Sequence, residues 1–131
     1  MAVPNEVIEL ANNPAAVKVL VTSSKDNQPH AIVCGSIFVT PEGQAGVGEI
    51  LMKRAKANLA DTGKAALTIV SGPQSYELVL GNPQRADSGP LFEGMKAKLA
   101  EMKLPCFAVW TFDIKEIWNE SAGPDAGKKI C

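Results

Sequence analysis

Three cations stand at the start of the stretch most able to do chemistry. Lys53, Arg54 and Lys56 lie within Gly46–Ser71, GVGEILMKRAKANLADTGKAALTIVS. This reads as a short extended piece, an amphipathic helix, a turn at Thr62-Gly63 and a β-branched strand. Leu51, Ala55 and Leu59 recur every four residues as an apolar stripe, and the cations lie off it. Two cations in a first turn sit at the positive end of the helix dipole, at a cost of about 0.3–1 kcal/mol. A bound anion reverses that cost, because free backbone N–H groups and both side chains then direct positive charge at it. A phosphate site is the leading reading; a solubilising basic face is the alternative.

Other reactive residues offer less. Gly46-x-Gly48 lacks the rest of a dinucleotide fingerprint and of a lysine-bearing phosphate loop. One histidine, His30 beside Pro29, makes no credible triad, and the acidic residues show no spacing for a paired-carboxylate mechanism. Cys34 has apolar neighbours, and burial raises a thiol pKa, so it is a weak nucleophile. With Cys106 and Cys131 it makes an odd, widely spaced set without a CxxC pair, so no metal site is legible. Cys34 and Cys106 read as buried thiols and Cys131 as exposed. Trp110 and Trp118 are able to stack on a ring, although strand tryptophans more often fill cores or interfaces.

The composition sets the frame for these residues. A chain of 131 residues, 46% hydrophobic and 21% charged, suits one folded domain spanning 1–131. Thirteen basic and fourteen acidic side chains give a formal charge of -1, without the basic excess of a nucleic-acid binder. Met1–Asn12 carries two glutamates and no basic residue, unlike a targeting segment. No apolar run approaches the roughly 20 residues of a spanning helix. The expectation is a cytoplasmic protein with neither nucleic acid nor membrane as partner.

The elements that must position the cations follow in order. Asn5 is placed to cap a helix over Glu6–Ala11, stopped by Asn12-Asn13-Pro14. Strands are expected at Val17–Thr22 and His30–Thr40, the second with a bulk-free Gly35-Ser36. That pair suits a bend in a curved sheet, close approach by a flat ligand, or both. Ala45–Gly48 precedes the basic helix. Ala65–Val70 and Tyr76–Leu80 follow it, and Gly81–Asp87 reads as a loop or irregular edge strand. Gly89-Pro90 opens a helix with Leu91, Met95, Leu99 and Met102 as its stripe. Cys106–Phe112, apolar on both faces, and Ile114–Asn119 are the last strands, with a loose tail from about Ser121. Short strands with intermittent helices and no regular βαβ alternation point to a closed or nearly closed barrel, with a mixed α+β sandwich as rival.

The order of strand, PH-bearing strand, basic helix ending in asparagine and leucine, ALTIVS strand and GPLFEGM helix resembles the pyridoxamine 5'-phosphate oxidase-like, FMN-binding split barrels. The small single-domain FMN-binding proteins are the most similar. The resemblance covers Val7 to Trp118 and is carried by Gln28–Val39, Met52–Thr68 and Asp87–Met95. It implies a mainly β, six-stranded split barrel with peripheral helices, and FMN as cofactor. By position it puts the flavin phosphate against Lys53 and Arg54, with Met52 beside them; Asn58 belongs to the same stretch, with a structural role as its equal alternative. It lines the ring with Val33, Cys34, Gly35 and Ser36, with edge contacts from Leu67, Thr68, Ile69 and Ser71. A homodimer with flavins near the interface is implied, Trp118 reaching the neighbouring site.

Two departures qualify that picture. Cys34-Gly35 replaces a polar or bulky pair, leaving fewer side-chain hydrogen bonds for the ring. The additional basic and histidine residues used for pyridoxamine phosphate are missing, so a true pyridoxamine 5'-phosphate oxidase is not expected. The implied function is a flavin-dependent oxidoreductase or electron carrier, with a nicotinamide cofactor as candidate donor and the acceptor unspecified. The alternative is a non-catalytic split-barrel dimer, ligand-binding or structural, that holds no FMN.

Overall fold

One bent stretch of chain serves both ends of the sheet. The computed structural model describes residues 1–131 and orders them as α1 (Asn5–Ala11), β1 (Val17–Ser23), β2 (Pro29–Val33), β3 (Ile37–Val39) and β4 (Gln44–Glu49). There follow α2 (Lys53–Asp61), β5 (Ala65–Ser71), β6 (Gln74–Ala86), α3 (Pro90–Glu101), β7 (Ala108–Asn119) and the short β8 (Lys128–Lys129). The strands pair antiparallel in the order β2-β1-β5-β6-β7-β4-β3, with β8 on β7. The two outermost strands, β2 and β3, are therefore consecutive in the chain. Beside the bend, the Cys34 N–H donates to the Lys18 carbonyl at 2.8 Å, and the Gly48 N–H donates to the Ser36 carbonyl at 2.9 Å. Taking β2 and β3 as one bent strand and setting β8 aside, the 8-stranded sheet is a six-stranded split barrel. The expected continuous strand His30–Thr40 is broken for this reason: a straight strand cannot pair with β1 and β4 at once.

Inward-facing residues alternate along the strands, as in Lys18, Leu20 and Thr22 on β1. Leu20, Val47, Leu67, Ile69, Leu78, Phe112 and Ile117 form the centre of the core. Each such side chain contributes about 1.5–3 kcal/mol by leaving water. Val7, Leu10 and Ala11 of α1, and Ala55 and Leu59 of α2, join the same cluster, so both helices pack onto the barrel interior. Helix α3 takes the outside, where Phe92, Met95 and Leu99 meet Val109 and Cys106. Close packing explains the glycines beneath it. A Cβ on Gly48 would lie 3.0 Å from Ser36 Oγ and 3.1 Å from Met95, and one on Gly46 would run into the Phe38 ring.

Several sequence expectations shift. Pro4, not Asn5, occupies the cap of α1, and no side chain caps it. Met52 takes the buried place expected for Leu51, which is 82% exposed. On α3, Phe92 replaces Leu91 in the stripe, and Met102 is exposed. The last two expected strands are one 12-residue strand, β7. Gly81–Ala86 continues β6, and Pro83 falls in a register shift between Gly81 and Gln84, where the ladder makes no demand for its missing N–H. The tail is anchored: the Ile130 N–H donates to the Ile117 carbonyl at 2.7 Å, and Cys131 is half-buried. No helix is long and apolar enough to cross a membrane.

Polar groups inside are satisfied. Lys18 Nζ donates to the Asn13 carbonyl at 2.7 Å, and burial, aided by Lys98, pushes the pKa of Lys18 down. No buried side-chain nitrogen or oxygen lacks a partner.

Candidate functional site

The basic start of α2 is left open. Met52 occupies the cap position without a side-chain cap bond, and no acidic residue lies in the first turn. The first N–H groups of a helix have no partner within it, so they face outward here together with Lys53 and Arg54. Both side chains are exposed, and neither enters an ion pair. They border an open groove of 310 Å³ lined by His30, Ile32, Leu51, Met52, Lys53 and Arg54. A smaller pocket of 70 Å³ adjoins it, walled by Ile32 to Ser36 and by Gly48, Ile50, Leu51 and Met52. Ile32, Leu51 and Met52 line both. The fold thus unites Met52, Lys53 and Arg54 with Val33, Cys34, Gly35 and Ser36, the group expected to meet a flavin.

Within that group the side chains are unequally available. Val33 is 74% exposed, and a Cβ on Gly35 would meet nothing within 4 Å. The Ser36 hydroxyl is buried and donates to the Gly48 carbonyl at 3.4 Å. The Cys34 thiol is buried, and desolvation pushes its pKa up to about 11, so it is neither thiolate nor ready donor near neutrality. Exposed backbone and apolar side chains dominate this wall.

The remaining candidates lie elsewhere. Asn58 faces inward, its Nδ2 donating to Thr22 Oγ1 at 3.0 Å. Leu67 and Ile69 are wholly buried in the core, and Ser71 lies at the hairpin opposite Gln74. Thr68 shares the outer face with Val33. Cross-strand pairing places Val33, Val19, Thr68, Glu77 and Trp118 in one row, four strand spacings long. At ~4.8 Å per spacing, the row runs roughly 19 Å along the curved sheet from Val33 to Trp118. Its indole N–H donates to Glu116 Oε1 at 3.0 Å. Trp118 lines neither the pocket nor the groove of its own chain.

A second cluster had no signal in the sequence. Glu49, 5% exposed, accepts Arg85 Nε–H at Oε1 and Nη2–H at Oε2, each at 3.0 Å. The Trp110 indole N–H donates to Oε1 at 2.8 Å, and Lys56 Nζ stands 4.0 Å from Oε2. The Arg85 hydrogen bonds hold the Glu49 carboxyl below its ordinary range against the opposing effect of burial, with Trp110 and Lys56 adding to the lowering. These residues face a groove of 380 Å³ lined by Glu49, Ile50, Leu51, Met52, Lys53, Lys56, Arg85 and Phe107. Glu49 and Arg85 are 36 positions apart, and Arg85 lies in a segment without clear periodicity. Only the β4–β7–β6 pairing brings them together.

Solved structures share the architecture. Group A Streptococcus HupZ superposes with a TM-score of 0.79 at 22% identity, over 95% of this chain and 99% of that one. An FMN-binding protein from Syntrophomonas wolfei gives 0.77 at 17% identity, over 90% and 88%. HutZ, the heme storage protein from Vibrio cholerae, gives 0.66 at 12% identity, over 93% and 98%. No protein-family model matches the chain, and no curated protein sequence matches it. At these identities the likeness is one of fold alone, the split β-barrel with peripheral helices that this chain shares with them. Proteins with this fold are described as FMN-binding, as heme storage and as an F420 reductase.

Proposed function

We propose that this chain binds FMN and serves as a flavin-dependent oxidoreductase or electron carrier. The observation that carries the reading is the uncapped, unpaired cationic start of α2, which opens on a groove continuous with the β2–β3 bend. Lys53, Arg54 and the first-turn N–H groups supply donors for a phosphate dianion. Val33, the Gly35 backbone, Leu51 and Met52 offer a flat, mainly apolar wall for a ring. Bound FMN would supply the redox chemistry, and the chain would supply position and water exclusion. No side chain on this wall is placed as a proton donor, since Cys34 and Ser36 are both buried and engaged.

The proposed unit is a homodimer. The outer face of β2-β1-β5-β6 carries Val17, Val19, Val21, Val33, Val70 and Val79, all half-exposed or exposed. No helix covers this face as α3 covers Val109. An apolar sheet face of this kind suits a subunit contact. Because Trp118 shares it, a second copy is the means by which that indole would approach a flavin.

A rival reading, a split-barrel dimer without FMN, is favoured by the sparse side-chain hydrogen bonding around Cys34-Gly35. Fluorescence titration with FMN and riboflavin decides between them. Micromolar FMN affinity with much weaker riboflavin binding supports the flavin reading, and no binding of either removes it. Hemin is the control ligand, since His30, the one histidine, lines the groove beside Arg54.

A further inference from the structure

Leu51 stands between two grooves, and only one of them is needed for the flavin phosphate. The groove with Arg54 and His30 lies to one side, and that with Glu49, Lys56, Arg85 and Phe107 to the other; Leu51, Met52 and Lys53 line both. We propose that the Arg85 groove is a second binding site, for a flat aromatic molecule carrying a phosphate or carboxylate, with Glu49 as its positioning residue. The proposal rests on the flavin reading only in casting that molecule as the flavin's co-substrate.

Charge, shape and rigidity point the same way. Three cations and one carboxylate line the groove, and with Lys53 given to the flavin phosphate, Lys56 and Arg85 against Glu49 still leave a surplus of one positive charge in a protein whose formal charge is -1. That carboxylate is already engaged by Arg85, Trp110 and Lys56, so it repels an incoming anion less than a free one would. The forked contact fixes the guanidinium plane and leaves Nη1 with only the exposed Asp87 carboxylate, 3.7 Å away. A bound anion would displace that weak surface pairing. Phe107, 55% exposed, and Leu51 offer apolar surface to a ring beside the cations. The volume of 380 Å³ lies within the range of small-molecule sites. An isolated surface ion pair would need neither a buried carboxylate nor an indole holding it in place. The occupant inferred is thus a single molecule with a ring at Phe107 and an anionic group at Lys56 and Arg85.

Adenosine 5'-monophosphate, a ring with a phosphate, is the probe, titrated calorimetrically into the full chain with and without saturating FMN. Binding in both conditions is expected. Lys56→Ala and Phe107→Ala should each weaken it about tenfold, and Arg54→Ala should leave it within twofold. Inorganic phosphate should bind more weakly, being unable to use Phe107. Arg85→Ala strips a buried carboxylate of its partner, so Arg85→Lys tests that residue while retaining the charge. It should weaken the probe and shift the Trp110 indole N–H resonance. Glu49→Gln should lower probe affinity while FMN affinity stays constant, a separation that a general structural role would not give. Abolition of binding by saturating FMN, or equal loss with Arg54→Ala, would assign the groove to the flavin itself and overturn the proposal. Failure of the wild type to bind the probe at millimolar concentration would also overturn it. Should FMN itself not bind, the flavin reading falls, while the probe titrations still decide the second site.

Discussion

The two basic clusters beside Leu51 differ in what holds them. Lys53 and Arg54 have no counter-ion and sit on a helix start without a cap. Arg85 is gripped by a carboxylate that the sheet buries, with Trp110 behind it and Lys56 nearby. Unpaired charge adds nothing to folding and is available to a ligand. Charge anchored on a buried partner contributes to stability, and its geometry is set before any ligand arrives. Substitutions should accordingly cost flavin affinity at the first cluster, and stability as well as probe affinity at the second.

The largest expected effect is at the anchor. Glu49→Ala leaves the buried Trp110 indole N–H without its acceptor and Arg85 without its counter-charge. It should destabilise the chain by about 3 kcal/mol, less than for a wholly buried pair because Arg85 is 31% exposed. Urea unfolding measures this, and a change below about 0.5 kcal/mol would erase the contrast between the clusters. The pH dependence follows from the depressed Glu49 pKa. Its contribution is present above the unfolded carboxylate value of about 4.3 and is lost as pH falls through the lower folded value. Glu49→Gln should therefore show a shallower loss of stability on acidification than the wild type.

At the free cluster the expected loss is in affinity. Lys53→Ala and Arg54→Ala should each weaken FMN by about 1.5–3 kcal/mol, or roughly one to two decades. Arg54→Lys should cost less than Arg54→Ala, because it retains charge without the planar fork. Riboflavin should be nearly indifferent to all three. Equal losses for both flavins would show residues that shape a pocket rather than grip a phosphate.

The dimer contact links the site to the bare sheet face. Val19→Asp puts a charge in the middle of that face and should weaken association by about 1–3 kcal/mol, read as a rise in the monomer fraction by ultracentrifugation. A wild type already monomeric at micromolar concentration would remove the interface. The smallest effect sharpens the opening contrast: without ligand, Lys53→Ala should raise stability by about 0.3–1 kcal/mol, because a cation leaves the positive end of α2. A fall of that size would mean Lys53 has a structural partner.

Much of the sheet was legible because alternation and turn chemistry act locally. Val17–Ser23 and Ala65–Ser71 are strands with β-branched residues, and Gly63 and Gly72, at φ 67 and 57, occupy turns that favour glycine. The basic helix was legible for the same reason, but its inner face was misplaced by one residue. A spacing of three or four residues before Ala55 admits either Met52 or Leu51 into the stripe, and only the direction in which the chain enters from β4 selects Met52. On α3, spacing likewise admits Leu91 or Phe92, and the outer surface of β7 selects Phe92. Leu67, Ile69 and Asn58 entered the expected site through the likeness of their stretches to a family. In the fold they point into the core, since in a half-buried strand or helix each position faces one side only.

What the sequence by itself determined is most of the strand segments, the basic helix and the cationic residues at its start. These depend on neighbours within a few positions, where propensity, periodicity and dipole energetics operate. Only the tertiary structure decided that His30–Thr40 breaks to close the barrel, that Leu51 stands in water, and that Glu49, Arg85 and Trp110 form one buried cluster. The Trp110 to Glu49 contact spans 61 positions. Its partners belong to three strands whose adjacency comes from barrel closure, and no local pattern encodes which distant charge a buried carboxylate will meet.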